Sequence, residues 1–416
     1  MDWPDSPDAP PLGDGRRALA VDRPDSVQAL RECVARRAAE GLAIYPQGGR
    51  TALDYGGIPG RPGVALDMTA LDSLIDYPAA DMTVTVGAGM TLAKLQAILA
   101  AEGQFLPLDA PHPDRATLGG IYATNTCGPR RFGWGRPRDH IIGVSFVTAD
   151  GKEIKGGGRV VKNVAGYDFP KLLTGSMGTL GVITQMTLKV RPKPGASVLV
   201  VVPLEAEALA PIVSRLNLSG TRPSAIELLN GTAREALNLD VGPSLGTPSA
   251  LVVGFEDNAA SVAWQVDRLL MELDRRRSDC RVLEGDDAAR LWVDLTEFAA
   301  WSSFGPLTVT ASLPRSRSLP VALGLDPTFW SVKVQPGSGT VVAHASNDFP
   351  KELVLKFRDE VARNGGSSIL SRCVAEWKAE MRVWGERRGD WAVMERIKAA
   401  LDPASVLNPG RFVGTI

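Results

Sequence analysis

The sequence predicts an α+β protein made of two parts with different compositions. In the first half, helices and strands alternate with short glycine loops, and beyond about residue 194 the glycine motifs become sparse while long apolar and amphipathic runs continue. The chain has 416 residues, of which 44% are hydrophobic, so it is long enough for two or three domains of roughly 150 residues each. We therefore expect a first domain over 20–194 and an α+β domain over 195–375.

The first half opens with a predicted helix, a strand and a glycine loop. Asp25 or Ser26 is suited to cap a helix that runs to about Glu40, where Gly41 ends it. The following apolar run at 42–46 predicts a strand that leads into Gln47, Gly48, Gly49, Arg50 and Thr51. Further along, Thr91 is placed to cap an amphipathic helix, and the Asp-Gly pair at 150–151 predicts a hairpin turn between two strands.

The second half and the two ends of the chain give different signals. Strands are predicted for VLVVVPL, SALVVGF and TVVAHAS, and a long amphipathic helix for the stretch that begins at Asp257. The segment 376–416 contains a helix, a proline stop and a short tail. The opening residues 1–19 are acidic and proline-rich without an apolar core region, which predicts a disordered tail and not a signal peptide.

Composition excludes several functional classes. With 46 basic and 47 acidic residues the net charge is −1, which gives no electrostatic basis for binding nucleic acid. No apolar run reaches about 18 residues, so we expect no transmembrane segment. The four cysteines are far apart and the three histidines share no short spacing, so neither an iron–sulfur cluster nor a metal site is indicated. A reduced cytoplasmic chain is the simplest interpretation.

The glycine loops of the first half are numerous, but none matches a common nucleotide motif. The loop at 48–51 has no Walker lysine, GAGMTL at 87–92 has leucine where a Rossmann fingerprint needs its third glycine, and GSMGTLG at 175–181 has the wrong spacing. A single glycine loop is usually only a tight turn. Several such loops on one domain, each with backbone N–H groups free to converge on an anion, indicate a long, flat, charged ligand.

Three longer stretches carry a family resemblance. They are residues 158–194, the stretch ATNTCGPRRFGWGRPRDHIIGVSFVTADGKEI, and LDPASVLNPGR near the C-terminal end. In them the chain resembles FAD-binding proteins of the vanillyl-alcohol oxidase and p-cresol methylhydroxylase (PCMH) type, and among these the FAD-binding (E) subunits of bacterial glycolate oxidase. The resemblance implies a two-part PCMH-type FAD-binding domain, a smaller α+β cap domain, and a C-terminal segment over 376–416 that returns to the FAD domain.

The resemblance also implies which residues contact the cofactor. The loop at 47–51 would surround the FAD pyrophosphate, with each N–H bond to a phosphate oxygen worth about 1.5–3 kcal/mol. The full set of implied FAD-binding residues is Pro46, Gln47, Gly48, Gly49, Arg50, Thr51, Leu108, Asp109, Pro111, Gly119, Gly120, Ala123, Thr124, Asn125, Gly128, Gly181, Val182, Ile183 and Asn408. Arg50 either contacts the pyrophosphate or points to solvent, and the sequence leaves both open.

Binding of FAD is expected to be non-covalent, because no histidine or cysteine lies at 43–57. His112 and Cys127 lie in cofactor-facing loops by resemblance, but loop packing explains them more simply. A β-branched side chain at Gly49 is expected to give a folded protein without FAD. That expectation assumes that the glycine makes room only for the ligand and adopts a positive φ.

By the same resemblance, the chain would be one subunit of a complex that oxidises glycolate, a 2-hydroxy acid, beside a second flavoprotein and an iron–sulfur protein. The resemblance implies a cytoplasmic protein. It also allows peripheral attachment to the inner membrane through those partners. A self-contained flavin oxidase and a non-catalytic FAD-holding subunit remain alternatives. No residue is assigned as the catalytic base. The arginines at 130, 131, 136 and 138 suit a substrate carboxylate, a partner surface or a cover over the phosphates. Lys162, Asn163, Tyr167 and Asp168 are candidate flavin neighbours, and none of them is assigned as a proton acceptor.

Overall fold

The computed structural model describes residues 2–4, 6–158, 166–239, 249–345 and 349–416. Its internal contacts divide the chain into two units. Unit 1 consists of Met1–Cys127, Gly135–Lys193 and Val374–Ile416, and unit 2 consists of Gly128–Trp134 and Pro194–Cys373. A short segment of the glycine-rich half thus belongs to unit 2, and the domain limits given by the sequence stay a prediction.

Unit 1 is built from short strands and helices contributed by three separate parts of the chain. Its strands are β1 Pro11–Gly13, β2 Arg16–Arg17, β3 Val21–Asp22, β4 Ala43–Gln47, β5 Gly63–Asp67, β6 Leu74–Asp76, β7 Thr83–Gly87, β8 Gln104–Phe105, β9 Ile141–Val147, β10 Glu153–Gly157, β11 Val182–Lys189 and β12 Arg191–Pro192. Its helices are α1 Val27–Ala39, α2 Leu92–Ala100, α3 Leu118–Thr124, α5 Pro137–His140, α6 Phe169–Leu173, α13 Ala375–Glu380 and α14 Trp391–Leu401, while α4 Arg131–Trp134 belongs to unit 2.

The first helix and the turns of unit 1 form where the sequence predicts them. The Ser26 hydroxyl accepts a hydrogen bond from the Ala29 N–H at 3.2 Å and so caps α1. Thr91 caps α2 in the same way, through the N–H of Lys94. The hairpin between β9 and β10 turns at Gly151, whose φ of 78° favours glycine.

A small parallel sheet carries the glycine loop. Its order is β3-β5-β4, and β4 pairs with β5 from Ala43 opposite Gly63 to Gln47 opposite Asp67. On the free side of β4, Leu407 from the C-terminal segment forms a parallel bridge with Ile44. Because side chains on both faces of β4 are buried, its sequence reads as a continuous apolar run.

A second, antiparallel sheet completes the framework of unit 1. Its strand order is β10-β9-β11-β7-β6, and its core includes fully buried residues of β7, β9 and β11 together with those of α2 and α3. Tyr122 of α3 and Phe146 of β9 are among the largest side chains buried there. This core fixes α3 against the sheet and so determines which side of α3 remains accessible.

The N-terminal residues do not form the disordered tail that their composition predicts. Strands β1 and β2 pair in an antiparallel hairpin, and Leu12 and Ala18 are buried with Tyr45 of β4. The turn of this hairpin contains Asp14, whose carboxylate contacts two buried cations, Lys378 and Arg411. The prediction was therefore wrong for residues 11–18, because these partners lie far along the chain.

Unit 2 is an eight-stranded antiparallel sheet covered by helices. Its strands are β13 Ala196–Leu204, β14 Ala225–Asn230, β15 Ser249–Asp257, β16 Arg281–Leu283, β17 Leu307–Ser312, β18 Trp330–Gln335, β19 Thr340–Ala345 and β20 Ser367–Arg372, in the order β16-β13-β15-β14-β18-β19-β17-β20. Its helices besides α4 are α7 Ala206–Asn217, α8 Gly231–Ala236, α9 Ala259–Glu272, α10 Gly285–Glu297, α11 Arg315–Leu323 and α12 Lys351–Arg363. Among the described residues, no helix is both long enough and apolar enough to cross a bilayer.

Candidate functional site

The loop that follows β4 has no room for side chains at its two glycines. A Cβ added at Gly49 would overlap the backbone carbonyl of Arg115, and one added at Gly48 would overlap the side chain of Thr117. Arg115 also donates a hydrogen bond from its guanidinium to the carbonyl of Gly49 at 3.1 Å. The glycines are therefore required first by close packing between the loop at 47–51 and the segment that leads into α3.

The positive φ expected in this loop lies on Arg50 and not on a glycine. Arg50 has a φ of 59°, whereas Gly48 and Gly49 are not among the residues with positive φ. Its guanidinium lies 3.9 Å from the carboxylate of Asp67, and 36% of the side chain is exposed. The idea that positive φ explains the two glycines is thus wrong. Arg50 forms only a loose ion pair with Asp67, and its side chain remains accessible to a second anion.

Helix α3 presents two different faces. Leu118, Ile121 and Tyr122 are buried in the core of unit 1, while the face with Gly119, Gly120, Ala123 and Thr124 carries only small side chains and is partly accessible. Thr117 caps the helix by accepting from the N–H of Gly120 at 3.4 Å. The sequence folds this way because its large apolar residues recur at helical spacing and leave a smooth opposite side.

Two further segments join α3 and the glycine loop in one closed set of contacts. The N–H groups of Gly175 and Met177 donate to the carbonyls of Tyr122 and Ala123, at 2.9 and 2.8 Å. The Asn408 side-chain amide donates to the carbonyl of Met177, and the Asn408 backbone N–H donates to the carbonyl of Ile44 in β4 at 2.8 Å. The segments 46–51, 115–125 and 175–178 therefore surround one region together with Asn408.

This region contains polar groups that the protein itself does not satisfy. Within the described residues, the N–H groups of Gly48, Gly49 and Arg50 donate to no protein acceptor. The buried side-chain oxygens of Asn125 and Ser176 also have no hydrogen-bond partner there. Buried polar groups are rarely left unpaired, so this arrangement fits a polar ligand with several acceptor and donor atoms. The diphosphate and ribityl groups of FAD have that character.

The other residues predicted to contact the cofactor differ in how buried they are and in which groups they leave available. Leu108 and Asp109 are buried, Gly181 packs against the ring of Phe146, and Val182 and Ile183 extend β11 into two apolar cores. The backbone N–H of Gly119 donates to the carbonyl of Ala88, and that of Gly120 donates to the hydroxyl of Thr117. Gly128 belongs to unit 2. The N–H groups of Gly119 and Gly120 are thus occupied, and these two residues offer shape and not hydrogen bonds.

Sequence reasoning missed several residues of this region. Arg115, Thr117 and Met177 contact the loop or α3, and Ser176 has a buried hydroxyl without a partner, but none of the four was proposed for the cofactor. The signal that was available is the pair of glycines on either side of Ser176 and Met177. Tyr167 is 81% exposed, and Asp168 caps α6 beside Lys171. Lys162 and Asn163 lie outside the described residues.

Two of the three histidines, His140 and His344, are buried inside the fold. His344 is fully buried in β19, its Nε2 donates to the carbonyl of Phe298 at 2.7 Å, and its Nδ1 accepts from the hydroxyl of Thr308 at 2.9 Å. Burial lowers its pKa to about 3, and it lowers the pKa of His140 to about 4, so both imidazoles are neutral near pH 7. In the part of the chain that the structure describes, no group of three metal-ligating side chains comes together.

The arginine cluster at 130–138 is divided by the fold. The Arg130 guanidinium forms an ion pair with Glu256 at 2.8 Å and lies 4.2 Å from the ring centre of Trp292. Arg131 donates to the hydroxyl of Thr340 at 3.2 Å, still within unit 2. Arg136 precedes the short helix α5 in unit 1, and Arg138 lies within it. Arg130 is therefore committed to a structural pair and does not offer its charge to a substrate or partner.

Two stretches of the chain match known protein families. Residues 18–157 match the FAD binding domain family, and residues 378–412 match the C-terminal domain of FAD linked oxidases. These stretches contain the glycine loop, α3 and Asn408, while the segment 175–178 of the same region lies outside both. These two matches cover less than half of the chain. Over them the chain is similar to FAD-linked oxidases with a PCMH-type FAD-binding domain, and its cofactor is FAD.

Curated relatives place the chain among proteins named for 2-hydroxy acids. It is 38% identical over 176 residues to glycolate oxidase subunit GlcE of Escherichia coli, a match that covers 42% of this chain and about half (49%) of that protein's length. It is 28% identical over 395 residues to the mitochondrial D-lactate dehydrogenase [cytochrome] of Arabidopsis thaliana, which covers 89% and 69% of the two chains. Glycolate oxidase subunit GlcD of Bacillus subtilis is 24% identical over 393 residues, or 89% and 84%.

Solved structures support the same architecture. An alkyldihydroxyacetonephosphate synthase superposes with a TM-score of 0.69 over 94% of this chain and 75% of that protein, at 19% sequence identity. At this identity the likeness concerns the fold alone. It confirms the prediction of a mixed α and β fold of the FAD-linked oxidase type.

The packing around Gly49 gives a revised prediction for the variant Gly49→Val. The sequence alone predicts a folded protein without FAD, but the added Cβ would overlap the Arg115 carbonyl even before any cofactor binds. We therefore expect the apoprotein itself to unfold at a lower temperature, in addition to losing FAD, because overpacking typically costs about 1–3 kcal/mol. Thermal unfolding of the apoprotein measures this, and an unchanged midpoint would contradict it.

Proposed function

We propose that this chain is the FAD-carrying subunit of a dehydrogenase for glycolate or a closely related 2-hydroxy acid, and that it works with partner subunits. The observation that carries the proposal is the 176-residue match to a glycolate oxidase subunit, supported by near full-length similarity to proteins named for D-lactate and glycolate. The proposed partners are a second flavoprotein and an iron–sulfur protein, and the proposed compartment is the cytoplasm. Peripheral attachment to the inner membrane through the partners belongs to the same proposal.

In this proposal the residues of unit 1 bind and orient the cofactor. The N–H groups of Gly48, Gly49 and Arg50 would donate to the pyrophosphate, and the guanidinium of Arg50 would add charge to that contact. The small face of α3 would allow a flat group to approach the backbone, and Asn125 and Ser176 would supply the polar side-chain contacts. Bound FAD supplies the acceptor for two electrons from the alcohol carbon.

An anaerobic spectrum of the flavin tests the function. The purified chain is mixed separately with glycolate, D-lactate and D-2-hydroxyglutarate, first alone and then together with co-expressed partner subunits. We expect the flavin absorbance near 450 nm to remain with the chain alone. With the partners present, glycolate should bleach more absorbance than the second flavoprotein loses in the absence of this chain. Omission of this chain from the complex should abolish glycolate oxidation by an artificial acceptor.

The alternatives give different spectra. Rapid bleaching of the isolated chain, with turnover at the rate of the complex, would show a self-contained oxidase and refute the dependence on partners. Bleaching by D-lactate or D-2-hydroxyglutarate but not by glycolate would change the substrate and keep the reaction class. A flavin that no substrate bleaches, with or without partners, would indicate a subunit that holds FAD without using it.

A further inference from the structure

Five consecutive backbone carbonyls after the glycine loop accept hydrogen bonds from two buried cations. Both cations come from the C-terminal segment of unit 1. The Lys378 ammonium donates to the carbonyls of Asp54 and Gly56, and the Arg411 guanidinium donates to those of Leu53, Tyr55 and Gly57. The two cations alternate along the chain, so each carbonyl from 53 to 57 is held. We call Asp14, Lys378 and Arg411 the carbonyl clamp, because Asp14 holds both cations.

Asp14 is the counterion of this clamp. Its carboxylate lies 2.6 Å from the Lys378 ammonium and 3.1 Å from the Arg411 guanidinium, and all three side chains are at most 5% exposed. The Asp14 backbone N–H also donates to the side chain of Asp54 at 2.9 Å. Asp14 has a φ of 52° between two glycines of positive φ, so the hairpin turn is shaped to aim its carboxylate inward.

The same hairpin holds the other end of the glycine loop. The Gln47 side-chain amide donates to the carbonyl of Pro11 at 2.8 Å, and Gln47 itself is the last residue of β4. The loop at 48–51 is therefore fixed on one side by β4 and the hairpin, and on the other by the clamped residues 53–57. Between these supports its free N–H groups have a defined direction before any ligand arrives.

We propose that Asp14, Lys378 and Arg411 are positioning residues for FAD: by holding residues 53–57 they keep the loop at 48–51 in its binding conformation. The inference rests on the proposed assignment of that loop to the pyrophosphate. A loop that is already ordered does not lose its conformational entropy when the ligand binds, so binding is tighter. Loss of the clamp should weaken FAD binding although none of the three residues is proposed to contact FAD.

The variant Asp14→Asn of the full chain tests the clamp, with Glu227→Gln as its matched control. Glu227 is a carboxylate of unit 2 that is also 1% exposed and also lies beside a buried lysine, Lys333. FAD is titrated into each apoprotein by flavin fluorescence quenching, and hydrogen–deuterium exchange is followed over residues 48–57. We expect at least tenfold weaker FAD binding and faster exchange at 48–57 in Asp14→Asn, with FAD affinity within twofold of the parent in Glu227→Gln.

Two results would overturn the proposal: an Asp14→Asn protein that binds FAD within twofold of the parent, or equal weakening by Glu227→Gln at an equal loss of thermal stability. If Asp14→Asn does not fold, Lys378→Met is measured with Lys333→Met as its control, with the same expected difference. Exchange of the parent protein with and without FAD tests the loop assignment separately, since FAD should protect residues 48–51. If FAD protects residues 48–51 but Asp14→Asn binds FAD as tightly as the parent, only the role of the clamp is refuted. None of these experiments uses a substrate.

Discussion

Replacing Asp402 by alanine is expected to destabilise unit 1 by about 3–5 kcal/mol, the usual cost of removing one partner of a buried ion pair. The Asp402 carboxylate lies 2.6 Å from the Lys398 ammonium, and neither side chain is more than 5% exposed. Lys398 also donates to the carbonyls of Thr179 and Leu407, and Asp402 accepts from the N–H groups of Val406 and Leu407. Urea unfolding at pH 7 measures the loss.

The Asp402→Ala variant should also show a distinctive pH dependence. Burial already lowers the pKa of Lys398, and Asp402 opposes that shift. Without Asp402 the folded-state pKa falls further below the unfolded value, so the unfolded chain binds the proton more readily and the variant gains stability as pH rises toward the unfolded lysine pKa. The control Asp72→Ala removes a half-exposed pair with Lys94 in the same unit and should cost at most about 1 kcal/mol. Equal losses in the two variants would contradict the prediction.

Replacing Glu256 by alanine is expected to destabilise unit 2 by about 3 kcal/mol, the lower end of the range for a buried pair, because Arg130 is 21% exposed. Glu256 receives hydrogen bonds from the Nε and Nη2 atoms of Arg130, at 3.0 and 2.8 Å, and from the indole N–H of Trp134 at 3.1 Å. These contacts hold the segment 128–134 in unit 2. Without Glu256 the segment 128–134 should detach from the rest of unit 2, and trypsin should then cleave early after Arg130 and Arg131.

Denaturant unfolding combined with limited trypsin digestion checks this second prediction. The control is Glu284→Ala, which removes an exposed carboxylate of the same unit that lies 3.9 Å from Arg277. It should change stability by no more than about 1 kcal/mol and leave the digestion pattern unchanged. A Glu256→Ala protein that resists trypsin at Arg130 and Arg131 as well as the parent would show that other contacts hold the segment.

Much of the fold follows from local sequence signals, because helix caps, turn glycines and apolar spacing act over a few residues. Ser26, Thr91 and Gly151 each end or begin an element where the sequence predicts it. The hairpin at 11–17 was missed for the opposite reason. Its proline and acidic content is typical of a flexible end, and its order depends on Lys378 and Arg411, whose distance along the chain no local pattern can bridge.

The candidate site shows the same limit in another form. The sequence shows the glycines at 48 and 49 but not why no side chain fits at these positions. Arg115 and Thr117 become their neighbours only in the folded chain. Arg130 was grouped with the arginines that follow it, although its partner Glu256 lies 126 residues away. A family resemblance predicts a cofactor region in such cases, while the packing that limits each position must be read from the structure.

The bridge between Ile44 and Leu407 has a consequence for the order of events in protein synthesis. Strand β4 leaves the ribosome early, but its neighbour Leu407, together with Asn408, emerges only after all of unit 2 has been made. Domains commonly fold as units while the chain grows, yet unit 1 cannot form the bridge at Ile44 in that way. The nascent chain must therefore reach residue 408 before the region around the glycine loop closes, and we expect stable loading of FAD to be a late step in the maturation of this protein.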